Sequence, residues 1–394
     1  MHRRHEYLFA SIYFIPSAII HLVMRFKKRS LLRSLVLFVF VMISANTADA
    51  QVSFGSDVQA RFSVAVQPRF MYGRESSPRI ERVGFGLRRA RLRTTVVYKE
   101  SVGMRLHLDF AGGSASAVDL YGFYQASPRV RFRVGYFAGA QPRALIPTSF
   151  TVSDGPDRIA ISDRWARSTI GAGGRDLGVD VEYADDGNRL SLFVHNGDGS
   201  LSRSNFRTGI GGLMATGGTE QHGLAVSTSA SRQFKQIKGL ELGAFLGHNS
   251  SKNPNTSVDS DASRGRDYNT FSLHLYWGAT PGSQPVRLKG DVIGTFFVGN
   301  GLAPAQSPLG YAVTAAARLS RGFEAVATFE AYEIDVDATP DRYVMAGINY
   351  SPSARRGLPF HQERLTIAYL SGIPGTDAAD TQHQVVVQLQ LAMW

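Results

Sequence analysis

The residues best placed to do chemistry in this sequence are arginines at alternating positions. Arg89, Arg91 and Arg93 occupy every second place, Arg129, Arg131 and Arg133 repeat the pattern, and Arg61 and Arg69 precede both rows. A guanidinium stays charged at any ordinary pH and presents a planar fork of donors, so rows of them suit fixed anion contacts better than lysines would. Residues two apart share a face only in extended chain. Arg89, Arg91 and Arg93 therefore share one face, opposite Leu92, Thr94, Val96 and Tyr98. Arg88 falls out of phase and calls for an outer rim or a β-bulge, which Gly84 and Gly86 would permit.

Other chemistries find less support. His107, His195, His222 and His274 lie on separate alternating segments without close carboxylate spacing, so no metal site is expected. Asp259–Asp267 mimics a calcium loop, but Gly265 comes one place late and no bidentate glutamate follows. The chain has no cysteine, which excludes disulfides and thiolate metal sites. No GxSxG or nucleophile–base signature appears, so the expectation is a non-enzyme without catalytic residues or cofactor, an outer-membrane lipase being the enzyme class weighed against it. No Lys/Arg-rich run interleaves with aromatics, so nucleic acid is not an expected partner.

The elements that position the arginines read as strands. Val58, Ala60, Phe62, Val64 and Val66 alternate with Gln59, Arg61, Ser63 and Gln67. Val102, Met104, Leu106, Leu108 and Phe110 oppose Arg105, His107 and Asp109, while Val130, Phe132, Val134 and Tyr136 oppose Arg129, Arg131 and Arg133. Such alternation predicts half-buried strands. About sixteen recur to the end of the chain, near the roughly 9–11 residues a tilted strand needs to cross a bilayer. Their connections alternate: Lys99–Ser101, Ala126–Pro128, Asp185–Asn188 and Ser320–Gly322 are short, while 111–117, 139–174, 197–221, 250–266 and 299–308 are long. Ser351–His361 is a longish exception on the short side. That parity predicts an all-β fold, a closed antiparallel transmembrane β-barrel of the outer-membrane type. The chain ends in Trp394, an aromatic terminus common in such barrels, although it is out of phase with the row Val385, Val387, Leu389, Leu391 and Met393.

The N-terminal region reads as targeting. From Met24, MRFKKRSLLR, then SLVLFVFVMIS, then ANTADA give a basic segment, a short apolar core and small residues at Ala48 and Ala50. The expectation is a signal peptide over 24–50 cleaved after Ala50, an upstream extension over 1–23 from a mis-assigned start (a membrane anchor is the rival), and a barrel over 51–394 with 139–174 as its long third outer loop. Residues 1–50 hold seven basic and two acidic residues, so the net charge falls from +11 to +6 without them.

Inside such a barrel, Arg61, Arg88, Arg89, Arg91, Arg93, Arg129, Arg131 and Arg133 would line a basic inner wall. A charge at mid-depth on the lipid side would cost about 2–4 kcal/mol. Rings of arginine favour anions and phosphate. The competing reading is structural pairing, with Asp109, Asp119, Asp176, Asp180 and Glu182 on nearby inward positions. The third loop carries Arg143, Arg158, Arg164 and Arg167 beside Trp165, Asp154, Asp157 and Asp163, and a loop this long is usually functional. Folded inward, its arginines would make an anion filter, or its acids would face the basic wall across a less selective pore. A plugged structural barrel is the remaining alternative.

Four pieces resemble the phosphate-selective porin family of the porin O and P type. They are RRARLR (Arg88–Arg93), LHLDFAG (Leu106–Gly112), FRVGYF (Phe132–Phe137) and GRDLGVDVEY (Gly174–Tyr183), in that order and spacing. The similarity is clearest from Val83 to Val194. It implies a sixteen-stranded barrel in outer-membrane lipid, usually a homotrimer, with an inward third loop and an arginine ladder leading small anions to a constriction. The RRAR arginines correspond to Arg88, Arg89 and Arg91, and Arg143 is the first choice for the basic loop residue. Family members known for phosphate also use lysines along the pore, whereas the third loop here has none.

Overall fold

Alternating side chains become strands almost wherever the pattern runs. The protein's structure, a computed structural model, describes residues 50–54, 56–75, 81–145, 153–171, 173–197, 199, 201, 224–250, 267–299, 304–376 and 380–393. The targeting segment, His222, most of the calcium-like Asp259–Asp267 stretch and Trp394 lie outside the described residues.

A short strand β1 (Ala50–Phe54) precedes β2 (Val58–Glu75), β3 (Glu81–Tyr98), β4 (Val102–Asp109), β5 (Ser116–Gln125) and β6 (Val130–Phe137). After the third loop come β7 (Asp176–Ala184), β8 (Asn188–His195), β9 (Ala225–Gln233), β10 (Leu240–Asn249) and β11 (Tyr268–Trp277). The series ends with β12 (Val286–Phe297), β13 (Leu309–Ser320), β14 (Phe323–Glu333), β15 (Asp341–Tyr350), β16 (Glu363–Ile373) and β17 (Gln382–Met393). Each of β2 to β17 pairs antiparallel with its neighbour, and β17 returns to β2 through Gln382↔Glu75 to Met393↔Val64. The sheet is thus a closed sixteen-stranded barrel, which leaves no open edge in lipid. β1 was not expected. It continues the edge of β2 below the end of β17, pairing Ala50↔Phe62 to Phe54↔Val58.

The phase break at Arg88 is a bulge. Gln67 faces Arg89 and Pro68 faces Leu87, so Arg88 has no partner on β2. Pro68 has no N–H to give to a ladder, and a bulge is where a strand tolerates that. Above the bulge Val83, Phe85 and Leu87 point outward; below it Leu92 and Tyr98 do. Val83 is 71% exposed and Met104 62%, apolar exposure that suits a lipid face rather than water.

The third loop, 138–175, contains a helix that the sequence reading did not anticipate, α1 (Ala160–Ser168). Ile161 and Trp165 are one turn apart and buried with Ala166, giving it an apolar stripe. Its cap residue Ile159 has no side-chain acceptor, and Glu330 of β14 supplies one from the wall, accepting from Ile161 N at 3.0 Å. Leu145, Ile161, Trp165, Ala166 and Ile170 pack with Phe245, Ile293 and Ala312 of the wall. The Ser351–His361 connection holds one short turn of helix, α2 (Pro352–Arg355), capped by Ser351 Oγ.

Candidate functional site

The candidate site is the lumen, and its geometry starts from the bulge. Breaking phase at Arg88 turns both Arg88 and Arg89 inward: Arg88 Nε donates to Asp157 Oδ1 at 2.5 Å and Arg89 Nη1 to Gln67 Oε1 at 2.9 Å. Below them the inward row continues through Arg91 and Arg93. Arg61 faces Thr95 on β3, and Thr95 faces Arg105 on β4, so these residues form one cross-strand row. Arg131 and Arg133 follow on β6.

The third loop lies inside the barrel and is tied to nearly every strand of the opposite wall. Arg143 Nε donates to Glu241 Oε1 of β10 at 2.6 Å. Asp154 pairs with Arg287 and Lys289 of β12, each at 2.5 Å, and its carbonyl accepts from Asn349 of β15. Ser153 and Pro156 carbonyls accept from Arg364 of β16 and Gln388 of β17. Trp165 Nε1 donates to Thr270 of β11, and Arg164 meets Asp341 of β15. Asp157 reaches the basic side, where Arg69 and Arg88 both hold it.

Many expected site arginines are thereby paired. Arg91 meets Asp109 at 2.8 Å, Arg133 meets Asp180 at 2.5 Å, and Arg158 meets Asp163 at 3.2 Å. Arg143, the first choice for a filter residue, is neutralised by Glu241. Arg129 is a correction. It sits in the turn between β5 and β6, exposed at the short-turn rim rather than on the wall, because Ser127 Oγ accepts from both Arg129 N and Val130 N and sets the strand's start there. In contrast Arg61, Arg105 and Arg131 face the lumen in its short-turn half and make no ion pair with any described residue, although Glu182 of β7 stands opposite Arg131 in the register.

Where the loop meets the basic wall, a cavity of about 330 Å³ is lined by Arg88, Arg89, Arg91, Arg158, Arg167 and Arg175, with Asp109 and Asp163 among them. Arg158 Nε is buried there without a hydrogen-bond partner. Burial, with Arg175, Arg88 and Arg91 close by, draws the Arg158 guanidinium down to about 10 despite Asp163. Burial pushes the Asp157 carboxyl up, but Arg88 and Arg69 more than offset it and hold it below the usual carboxylate range. Asp154 behaves alike under Lys289 and Arg287. So the loop's acids stay ionised against basic partners, and the cavity holds donors in excess of acceptors.

Of the histidines singled out by sequence, the three among the described residues each meet a carboxylate. His107 contacts Asp119 at 2.9 Å and His274 contacts Glu241 at 3.3 Å. His195 Nδ1 lies 2.7 Å from Asp176 and its Nε2 lies 2.8 Å from Ser227 Oγ, a relay with no sequence signal because its members sit on three strands. Ser227 is buried on a strand paired on both sides, so the neighbouring backbone N–H groups are engaged in ladders rather than open to an oxyanion. The relay ties the end of the loop to β8 and β9.

No protein-family model matches the sequence, and no curated protein matches it. Solved structures do share its fold. The anion-selective porin from Comamonas acidovorans superposes with a TM-score of 0.62 at 12% identity, over 85% of this chain and 100% of that one. OmpF of Salmonella typhi, in complex with daunomycin, gives 0.57 at 12% identity over 87% and 100%. OmpT of Vibrio cholerae, expressed in the outer membrane, gives 0.55 at 9% identity over 87% and 100%. At these identities the likeness is one of fold, the barrel of outer-membrane porins.

Proposed function

We propose that this chain is a porin of the bacterial outer membrane, exported with residues 24–50 removed, that passes small anions and is not an enzyme. The observation that carries this reading is the uneven charge of the lumen. The loop lies on the wall of β10 to β17 with its acids turned onto basic partners, and Arg61, Arg105 and Arg131 make no ion pair with a described residue, Glu182 opposite Arg131 being the one carboxylate beside them in the register. Low-dielectric walls focus such a field into the lumen and raise the local anion concentration. The six-arginine cavity beside α1 is then the constriction, and its unpartnered Arg158 donor suits a tetrahedral oxyanion such as phosphate. The resemblance to the phosphate-selective family and the anion-selective neighbour support the same reading, and assembly as a homotrimer is part of the proposal.

The test is the reversal potential of the purified protein in a planar bilayer under a KCl gradient, with inorganic phosphate then titrated in. Anion selectivity with block by phosphate at low concentration is expected. Anion selectivity without block would leave a general anion porin. Near-zero or cation selectivity would overturn the arginine-wall argument, and no conductance would mean a plugged barrel.

A further inference from the structure

Arg105 and Arg131, which make no ion pair with a described residue, are held in a particular way. Gly103 lies opposite Phe123, and a Cβ there would sit 2.3 Å from that ring's Cζ, so the Phe123 ring lies over the bare backbone of β4; Gly135, opposite Tyr121, gives β6 an equally close approach to the backbone of β5. Guanidinium groups stack on the rings: Arg105 at 5.5 Å from the Tyr121 centroid and Arg131 at 5.3 Å from that of Phe123. Each is also pinned through Nε by a neutral acceptor, Thr95 Oγ1 at 3.3 Å for Arg105 and Gln125 Oε1 at 2.7 Å for Arg131. Neither terminal Nη pair is engaged by a described residue. Stacking covers one face of each guanidinium and the Nε bond sets its rotation, so an in-plane pair of parallel N–H donors is left open at full charge. Arg105 faces Tyr121 and Arg131 faces Gln125, on either side of β5 and offset by four residues, roughly 13 Å, along it at ~3.3 Å per residue, while the two rings that the guanidinium groups lie by are 6.3 Å apart. Phe123 lies between them, half-buried.

We propose that Arg105 and Arg131, stacked on Tyr121 and Phe123, are two successive binding stations for the carboxylate of a small organic anion. The proposal rests on the anion-porin reading and adds a solute class to it. Two parallel donors in one plane match the two oxygens of a carboxylate. A halide gains nothing from the second donor. Phosphate can take the same two donors, but it has no apolar body to lie against Phe123, so the ring beside the fork is what favours an organic carboxylate. The stations lie in the short-turn half of the lumen, apart from the cavity beside α1.

The experiment measures block of single-channel current in the purified protein by benzoate and by inorganic phosphate, added from the short-turn side. The short-turn stations should make benzoate half-block the wild-type channel at a concentration about tenfold below phosphate when both are read from that side. Arg131→Lys keeps the charge but loses the fork and should raise the benzoate value about tenfold, the scale of one charge-assisted bidentate contact. Phe123→Leu removes the shelf without touching a charge and should weaken benzoate block in the same direction, and Arg129→Lys, in the turn, should block as wild type. Equal block by the two anions, or benzoate block unmoved in both Arg131→Lys and Phe123→Leu, would overturn the proposal. A wild-type channel without anion preference in KCl that benzoate still blocks through Arg131 would sink the porin selectivity reading and leave the carboxylate stations standing.

Discussion

Replacing Asp154 by Asn should loosen the third loop without unfolding the barrel. Asp154 is 8% exposed and lies between Arg287, 1% exposed, and Lys289, 9% exposed. Removing one partner from a buried ion pair costs about 3–5 kcal/mol, because the other charge is left uncompensated. The lower end applies here. Arg287 keeps its two bonds to Glu324, at 2.9 and 2.7 Å, so Lys289 bears most of the loss. Asparagine also preserves the side chain's shape and the carbonyl that accepts from Asn349. A loss of about 3 kcal/mol shifts the loop's opening equilibrium by roughly two orders of magnitude. Limited trypsin digestion of the refolded protein in detergent reads this, since cleavage after Arg158, Arg164 or Arg167 tracks the open population when opening is fast. A cleavage rate about a hundredfold above wild type is expected, with the β-sheet signal retained. Asp185→Asn, in a short turn, should change nothing. An Asp154→Asn rate within twofold of wild type would refute the idea that this triad anchors the loop.

Other expectations follow from the same contacts. Asp154 and Asp157 both have depressed folded-state values, so the anchoring they give is complete above the unfolded carboxylate value near ~3.9 and is lost as pH falls through the folded values. Single-channel current should stay quiet from pH 8 to 5 and flicker reversibly only below about 4; flicker that begins near pH 6 would point to other groups. Gly135 has φ +136° and its added Cβ would meet Leu120 O at 2.3 Å, so Gly135→Ala should destabilise the folded barrel by about 3 kcal/mol or more, read from its urea midpoint. A fluorophosphonate probe should leave Ser227 unlabelled despite the His195–Asp176 relay, and stoichiometric labelling there would make it a nucleophile.

The barrel was legible because its period is local: every stave from β2 to β17 announces itself by side chains two apart, and even the bulge at Arg88 shows as a phase error. Arg129 was misplaced because alternation runs on into a turn that only the Ser127 hydroxyl ends. The helix in the third loop was missed for a different reason. Nine residues with Ile161 and Trp165 one turn apart make a marginal helix alone, and what caps it is Glu330, 169 positions away in sequence. Pairings such as Lys289–Asp154, 135 positions apart, are likewise invisible to spacing. Sequence could therefore name the arginines that face the lumen but not which of them remain charged toward water.

That division is set by where the loop lies. Had 138–175 crossed with its acids toward β4 to β6, Asp154 would have faced Arg105 and Arg131, and the two sides of the pore would have opposed each other in charge. Instead Asp154 is drawn to Lys289 and Arg287, and Asp157 to Arg69 and Arg88 above the bulge. Of the wall's own acids, Asp109, Asp119 and Asp180 lie toward the long-loop end or at mid-height, where Arg91, Arg175 and Arg133 take them up, and Glu182 stands opposite Arg131 nearer the short turns. On the β2 to β6 side the paired arginines lie toward the long-loop end or at mid-height, while in the short-turn half of that side Arg61, Arg105 and Arg131 make no ion pair with a described residue. Across the lumen, Arg287 with Glu324 and Arg143 with Glu241 are paired at the same height. A ladder of arginines alone would not choose an anion. In the proposed anion pathway the choice would come also from the basic residues on the far wall, which pair with the loop's Asp154.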